Sequence, residues 1–164
     1  MSPVGCGGTN PPSSGSDPKS LRTFWRRGIV DLEVLRCEFD AHGYDLVLSR
    51  GPTVRHIQFR TKLQRSNVPP VTPQRVAISK QLADKPSSCV IWIVVTPELE
   101  LGPYYWFGGA PGEPLPDIAS YRQPKRIGRR AQGDRPLRAN HRTTPTGMFE
   151  RVDDLDGILL KLFG

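Results

Sequence analysis

The sequence predicts a mixed α/β fold in which one mixed β-sheet is flanked by helices. An unbroken apolar run, CVIWIVV at 89–95, has the length and β-branched composition of a strand buried on both faces. Segments with the apolar spacing of a helix lie before, between and after segments that resemble strands. The predicted order is helix, strand, strand, helix, strand, strand and a closing helix, or αββαββ plus a final helix.

Three segments repeat apolar residues with the period of an α-helix. The first is 28–43, where Gly43 is suited to end the helix. The second is 74–85, and the third begins near Asp153 and runs to the end of the chain. Each segment has one apolar face, so each is predicted to pack against the sheet.

Between the first two predicted helices lie two strands, 44–49 and 54–63, joined by the turn sequence RGPT. Side chains alternate across a strand, so one face of 54–63 carries a row of polar groups. That row consists of His56, Gln58, Arg60 and Lys62. It has two interpretations: the wall of a functional site, or an exposed sheet edge whose charges oppose aggregation.

Further along the chain, YYWF at 104–107 is predicted to form another strand, and the segment that follows, 108–117, is predicted to be a loop. LRANHRTT, at 137–144, is a candidate edge strand. The aromatic residues of YYWF are suited either to stacking on nucleic-acid bases or to packing in the core, and core packing is the commoner role.

The first twenty residues are rich in Gly, Pro and Ser, which predicts a disordered leader at 1–20 followed by a single domain at 21–164. No apolar region follows a charged start, and no apolar run has the length of a membrane span. We therefore expect a soluble cytoplasmic protein without a membrane partner.

Three cysteines, Cys6, Cys37 and Cys89, are too few and too scattered for a disulfide framework or a zinc site. Cys37 and Cys89 lie in apolar segments, where a free cysteine usually acts as a small buried hydrophobe. A cysteine–histidine nucleophile remains an open alternative, although none of the three histidines has metal-ligand spacing.

The net charge of +7 is concentrated in one segment, 119–146, which contains eight basic residues and one acidic residue. A neutral body with one basic segment predicts a nucleic-acid contact, and DNA is favoured over RNA. The residues chosen for this contact are Arg122, Lys125, Arg126, Arg129 and Arg130. The alternative is a solvated loop in an arginine-rich protein.

The hairpin also contains the groups that a metal-dependent phosphodiesterase needs. Such an enzyme holds Mg²⁺ with carboxylate or amide oxygens and places a cation near the scissile phosphate. Asp45 precedes Gln58 by thirteen residues, and Gln58 precedes Arg60 by two, so the last two side chains point to the same face. An aspartate on the neighbouring strand can complete the site.

The segment with Glu33, followed by GYDL, HIQFRTK, a second predicted helix and CVIWIVV, resembles the PD-(D/E)XK nuclease superfamily, which has the restriction-endonuclease-like fold. The resemblance covers roughly 28–110 and is closest to variants in which Gln replaces the second acid. The later stretch, from KPSSCVIWIVV through LGPYYWFGGAPGEPLPD to the closing LLKLFG, resembles small uncharacterised bacterial proteins that share this core.

The resemblance implies a role for each motif position. Asp45 would be the metal-binding acid, Gln58 the second metal-site group, and Glu33 an accessory acid on the first helix. Position 60 would hold the catalytic lysine, but this chain has Arg60 there, and a planar guanidinium does not replace a compact ammonium. Lys62, two residues further along the same face, could supply that ammonium if the end of the strand bends inward.

The function implied is a Mg²⁺-dependent nuclease that hydrolyses phosphodiester bonds in nucleic acid. Arg60 supports an alternative, in which the same core is inactive and acts as a nucleic-acid-binding or protein-interaction module. A purely structural interaction protein is a third class. Many nucleases of this type pair their subunits, so a homodimer is a further expectation.

Overall fold

The computed structural model describes residues 25–36, 43–64, 75–125 and 137–164. The chain divides into two units, Met1–Val30 and Asp31–Gly164. In the first unit the described residues 25–30 contain a turn, in which the Gly28 N–H donates to the Trp25 carbonyl at 3.0 Å. The predicted leader at 1–20 lies outside the described residues.

The described part of the second unit contains eight strands and two α-helices. The strands are β1 (Leu32–Arg36), β2 (Leu46–Arg50), β3 (Thr53–Leu63), β4 (Arg75–Ser79), β5 (Ser88–Val95), β6 (Leu101–Gly108), β7 (His141–Pro145) and β8 (Glu150–Val152). The helices are α1 (Lys80–Ala83) and α2 (Leu155–Phe163), with a 3₁₀ turn at Thr146–Met148 between β7 and β8.

Six of these strands form one mixed sheet in the order β1-β2-β3-β5-β6-β8. The pairing of β3 with β5 is parallel, and the other four pairings are antiparallel. The mixed α/β class is therefore as predicted. The expectation of a single sheet is wrong, because β4 and β7 form a separate two-stranded antiparallel ribbon.

The main core lies on the face of the large sheet that is covered by this β4–β7 ribbon and α1. It is an apolar cluster of Val76, Ile78, Leu82, Val90, Trp92, Val94, Tyr105, Phe107, Leu115, Ile118 and Phe149. Strand β5 occupies a central position and is buried along most of its length, as its unbroken apolar run predicted. The aromatic strand β6 is also buried, so its aromatic residues pack in the core.

Helix α2 is confirmed as the closing helix. Its N-cap is Asp154, whose Oδ1 accepts a hydrogen bond from the Gly157 N–H at 2.8 Å. Ile158, Leu159 and Leu162 form its buried face. These residues are spaced as the sequence predicted, and the helix contacts β6 and β8.

The predicted helix at 28–43 is wrong over residues 32–36, which form the edge strand β1. Pairing with β2 decides the conformation here, from Leu32 opposite Arg50 to Arg36 opposite Leu46. Four of the five β1 residues are exposed, so the helical spacing of apolar residues does not correspond to burial. A short segment with mixed propensity takes the structure that its tertiary neighbours stabilise.

The predicted helix at 74–85 is also largely wrong. Residues 75–79 form β4, which pairs with β7 more than sixty positions along the chain, and helix α1 has one turn. The N–H of Lys80, at the start of α1, donates to the Asn140 carbonyl at 2.8 Å, so the end of the ribbon is joined to the start of the helix. Leu82, on α1, is fully buried.

Arg55 in β3 is a fully buried charge, with 0% of its surface exposed. Its Nε donates to the Leu162 carbonyl at 2.7 Å, and its Nη2 donates to the Lys161 carbonyl at 2.8 Å. Its Nη1 donates to the carbonyls of Gly109 and Ala110 at 3.1 and 3.3 Å. The guanidinium therefore joins the sheet to the end of α2 and to the loop after β6.

This arrangement places a cation where a helix leaves carbonyls without intrahelical partners. The Arg55 Cζ also lies 5.6 Å from the centroid of the Trp106 ring. Burial lowers the pKa of Arg55, with nearby Cys89 acting in the opposite direction. Because a guanidinium loses its proton only in strongly alkaline solution, Arg55 remains charged at neutral pH despite this lowered pKa.

We expect Arg55→Met to lower the free energy of unfolding by about 3 kcal/mol or more, because four carbonyls lose a charged donor. Urea unfolding of the full chain measures this change. Arg50→Met is the matched control, since Arg50 lies on β2 in a surface ion pair with Asp31 at 3.1 Å. Its loss should cost no more than about 1 kcal/mol, and equal losses in both variants would contradict the role of Arg55.

Candidate functional site

The polar row of β3 lies where β2 stops pairing with it. The last pair of that ladder is Leu46 with Ile57. The N–H of the preceding residue, Asp45, donates to the Ile57 carbonyl at 2.8 Å. Strand β3 continues to Leu63, so Asp45 stands beside Gln58 at the point where the edge of β3 is no longer paired with β2.

The Asp45 carboxylate bonds to β3 at the point where the backbone of one more β2 residue would otherwise pair with it. Its Oδ2 accepts a hydrogen bond from the Phe59 N–H at 2.6 Å. This bond holds the carboxylate beside the backbone, at the level of Gln58 and Arg60. Asp45 is exposed, and its Oδ1 makes no hydrogen bond to a described residue, so one oxygen remains available to a ligand.

Gln58 is the unusual member of the row, because only 3% of its surface is exposed. This burial does not fit the interpretation of the polar row as an exposed sheet edge. Its Oε1 is buried and has no hydrogen-bond partner among the described residues. A buried acceptor without a partner costs about 1–3 kcal/mol, so native structures contain few of them. An amide oxygen in this state is a natural acceptor for a cation or a water molecule.

Arg60 is half-buried and links β3 to β4. Its Nη1 donates to the Phe59 carbonyl and its Nη2 to the Ala77 carbonyl, both at 3.3 Å. Asp45 and Arg60 therefore supply partners for both polar backbone groups of Phe59. The guanidinium is thus a cation near the Asp45 carboxylate and, at the same time, a connection between the large sheet and the ribbon.

His56 and Lys62 lie at the two ends of the row, each two residues from the next member, or about 7 Å along the strand. The Nδ1 of His56 lies 3.0 Å from the Pro86 carbonyl, and its ring packs edge-on to Tyr44 with 5.0 Å between centroids. Because a carbonyl only accepts, this contact assigns the proton to Nδ1. Lys62 is half-buried further along the same strand face.

Glu33 does not join this group. It lies on the edge strand β1, not on a helix, and is exposed. The register places Glu33 opposite Ser49, and Ser49 opposite Val54. Val54 is four residues before Gln58, so Glu33 is about 13 Å away along the strand direction and also two strands across.

Asp45 and Gln58 fit part of a Mg²⁺ site. They supply a carboxylate oxygen and an amide oxygen, which are the hard donors that Mg²⁺ binds. Within the described ranges, no three His, Cys, Asp or Glu side chains are grouped to hold a metal. Mg²⁺ commonly uses one or two carboxylates and fills its other positions with water and substrate phosphate. The unpartnered Gln58 Oε1 is the observation that favours this fit.

The basic segment reaches the polar row through the ribbon. Its later part forms β7, as the predicted edge strand, and β7 pairs with β4. Ala77, whose carbonyl accepts from Arg60, is opposite Thr143, and Ser79 is opposite His141. Arg122 and Lys125 are exposed at the start of the segment. The other three chosen residues, Arg126, Arg129 and Arg130, lie outside the described residues.

A close backbone contact joins the ribbon to the residues just before β2, which include Asp45. Gly43 has a φ of +75°, and a Cβ atom placed on it would lie 2.3 Å from the Cβ of Ser79. Only glycine permits this approach. The sequence contained the signal, since Gly43 precedes Asp45 by two residues, but the glycine was interpreted as the end of a helix.

Cys89 is not a nucleophile. It is fully buried, and desolvation raises the pKa of its thiol to about 12 despite the opposing charge of Arg55. The thiol therefore stays protonated at neutral pH, and the thiolate is the reactive form. The cysteine–histidine alternative is excluded for Cys89, while Cys37 lies outside the described residues.

We expect Gln58→Met to raise the free energy of unfolding by about 1 kcal/mol, because an apolar side chain of similar shape replaces a buried unpartnered amide. Urea unfolding measures the change. Gln64→Met, on the half-exposed residue that follows β3, is the control and should change stability by less than about 0.5 kcal/mol. A loss of stability in Gln58→Met would show that the amide has a structural partner.

No helix that the structure describes has the length and apolar composition needed to cross a bilayer. Neither a protein-family model nor a curated protein sequence matches the chain. The geometry around Asp45 and Gln58, and the chemistry of the side chains there, are therefore the grounds on which a function can be assigned.

Proposed function

We propose that the chain is a small Mg²⁺-dependent nuclease that hydrolyses phosphodiester bonds in nucleic acid. One observation carries this proposal: the Asp45 carboxylate, bonded to the Phe59 N–H, stands beside a buried Gln58 amide oxygen that has no partner among the described residues. A ligand would offset the cost of a buried acceptor without a partner, and a hard cation suits these two oxygens.

The order of strands supports the restriction-endonuclease-like core that the sequence resemblance implies, which is part of the proposal. The four strands of the expected αββαββ order are present as β2, β3, β5 and β6. Strand β1 stands where the first helix of that order was expected. The second helix is present as the single turn α1, which follows β4. Asp45 and Gln58 nevertheless occupy neighbouring positions, as the motif requires.

Each residue of the site has a definable task. When bound, Mg²⁺ would polarise the scissile phosphate and favour a hydroxide nucleophile at neutral pH. Asp45 and Gln58 would hold the ion, and the Phe59 N–H fixes the direction of the Asp45 carboxylate. Burial of Gln58 strengthens its attraction to a cation, because the local dielectric is low. Arg60 would add positive charge that favours binding of the phosphate.

The basic segment supplies the remaining attraction for nucleic acid, and DNA is the proposed substrate. Arg122 and Lys125 are the described members of the set chosen from sequence, and both are exposed. Lysine and arginine side chains that contact phosphates release counterions, so binding should weaken steeply with salt. The proposal also includes a homodimer and a cytoplasmic location.

A second candidate function is nucleic-acid binding without cleavage. It is favoured by the two hydrogen bonds of Arg60, which join its guanidinium to the carbonyls of Phe59 and Ala77. A guanidinium in that position serves the connection between the sheets, and its planar fork does not reproduce a lysine ammonium beside an attacking water.

We expect Asp45→Asn to reduce Mg²⁺-dependent cleavage by about a hundredfold or more, since it removes the charge that holds the ion. The asparagine retains an acceptor for the Phe59 N–H, so the fold should persist. Nicking of plasmid and degradation of single-stranded DNA and RNA, with Mg²⁺ or Mn²⁺, measure the effect. Glu33→Gln is the control and should keep wild-type activity, and an equal loss there would contradict the site.

We expect Arg60→Lys to raise the rate of cleavage by about tenfold or more, because it supplies a compact ammonium beside Asp45. The same nuclease assays measure it, and thermal unfolding checks that the link to Ala77 is not essential for folding. If neither the wild type nor Arg60→Lys cuts, while both bind nucleic acid, the second candidate function replaces the first.

A further inference from the structure

Two arginines near the start of β7 have no acidic partner. Neither Arg138 nor Arg142 forms an ion pair with a described residue, and the described stretches 119–125 and 137–146 contain no acidic side chain. Three other described cations do have acidic partners: Arg50 pairs with Asp31, Arg151 with Asp153 and Lys161 with Glu150. Among the residues that the structure describes, these two arginines at the beginning of β7 therefore have no acidic side chain to balance their charge.

The two arginines are held differently. Arg142 braces the turn before β7, since its Nη1 donates to the carbonyls of Ala139 and His141 at 3.0 and 2.9 Å, and its Nε lies 3.4 Å from the Ala119 carbonyl. Arg138 contacts a side chain instead: its Nη2 lies 3.0 Å from the Nε2 of His141. Its Nε and Nη1 groups make no hydrogen bond to a described residue.

The contact with His141 orients the Arg138 guanidinium without neutralising it. A guanidinium only donates, so in this contact the Nε2 of His141 is the acceptor. The His141 N–H also donates to the Arg138 carbonyl at 3.0 Å, which closes a turn between the two residues. Arg138 is consequently a half-buried, oriented cation with donors to spare.

The fold places Arg138 and His141 at the end of the ribbon near Gly43, which lies just before Asp45. His141 is opposite Ser79 in the ribbon, and Ser79 is in close contact with Gly43. Gly43 precedes Asp45 by two residues. Two neighbouring contacts, His141 with Ser79 and Ser79 with Gly43, therefore connect the turn that carries Arg138 to the residues beside Asp45.

We propose that Arg138, oriented by His141, binds a backbone phosphate that flanks the phosphodiester presented to Asp45 and Gln58. The planar fork of a guanidinium matches two phosphate oxygens, which makes arginine the preferred residue for this contact. The inference deepens the proposed function and rests on it. Arg138 is one of the eight basic residues of segment 119–146, but it is not among the five that the sequence analysis selected for the nucleic-acid contact.

The test measures binding without cleavage, in the full chain with Asp45→Asn. Fluorescence anisotropy with a labelled DNA oligonucleotide, over a range of salt concentrations, gives affinity and its salt dependence. We expect Arg138→Gln to weaken binding about tenfold. The slope of log affinity against log salt should become shallower by about 1, because one phosphate contact is lost.

The matched control is Arg75→Gln. Arg75 is exposed at the other end of the same ribbon, opposite Pro145 and about 13 Å from the row of Ser79 and His141. Removing this charge should change affinity by about twofold or less, since salt screens it at that distance. Equal effects of Arg75→Gln and Arg138→Gln would overturn the inference and leave the proposed function intact.

Two further arms separate geometry from charge and nucleic acid from free phosphate. Arg138→Lys keeps the charge but loses the fork, so its affinity should fall between wild type and Arg138→Gln; wild-type affinity would overturn the inference. It also carries the test if Arg138→Gln fails to fold. The second arm is a titration with inorganic phosphate. If Arg138→Gln weakens the binding of inorganic phosphate but leaves the affinity for DNA unchanged, the inference is overturned. No DNA binding by any variant, the unmutated chain included, contradicts the proposed function itself.

Discussion

The buried guanidinium of Arg55 is the interaction on which the arrangement of the large sheet and α2 depends. It brings a strand from the first third of the chain to the last turn of the closing helix, across 107 positions of sequence. The same group also fixes the loop after β6 through two more carbonyls. Four directed hydrogen bonds define one geometry, whereas apolar contacts alone would tolerate several. With α2 held in this way, the opposite face of the sheet is left for the ribbon and the polar row.

The parts of the fold that sequence predicted are those with local causes. The hairpin β2–β3, the buried β5, the aromatic β6 and the closing α2 all follow from alternation, composition or helical period within one segment. Strands β1 and β4 were predicted as helices because their conformation depends on partners elsewhere, and β4 pairs with residues beyond position 140. Tertiary pairing outweighs local propensity in such short segments.

The candidate site divides in the same way. The adjacency of Asp45 and Gln58 was predictable, because a tight hairpin sets its own register. The burial of Gln58 was not, since it depends on a ribbon whose two strands are distant in sequence. Glu33 was misplaced together with the helix that was expected to carry it. The importance of Arg55 was missed because its partners are backbone carbonyls, which leave no trace in a sequence.

The hydrogen bonds to the backbone of Phe59 affect how conservation of Asp45 in related chains should be interpreted. Its N–H and carbonyl bond to the side chains of Asp45 and Arg60, so these two residues close an edge that would otherwise be open to pairing with another chain. An acid at position 45 therefore serves the fold even where catalysis has been lost. Among related chains, conservation of that acid would be weak evidence of activity. Conservation of a glutamine at position 58, which costs the fold stability, would be much stronger evidence.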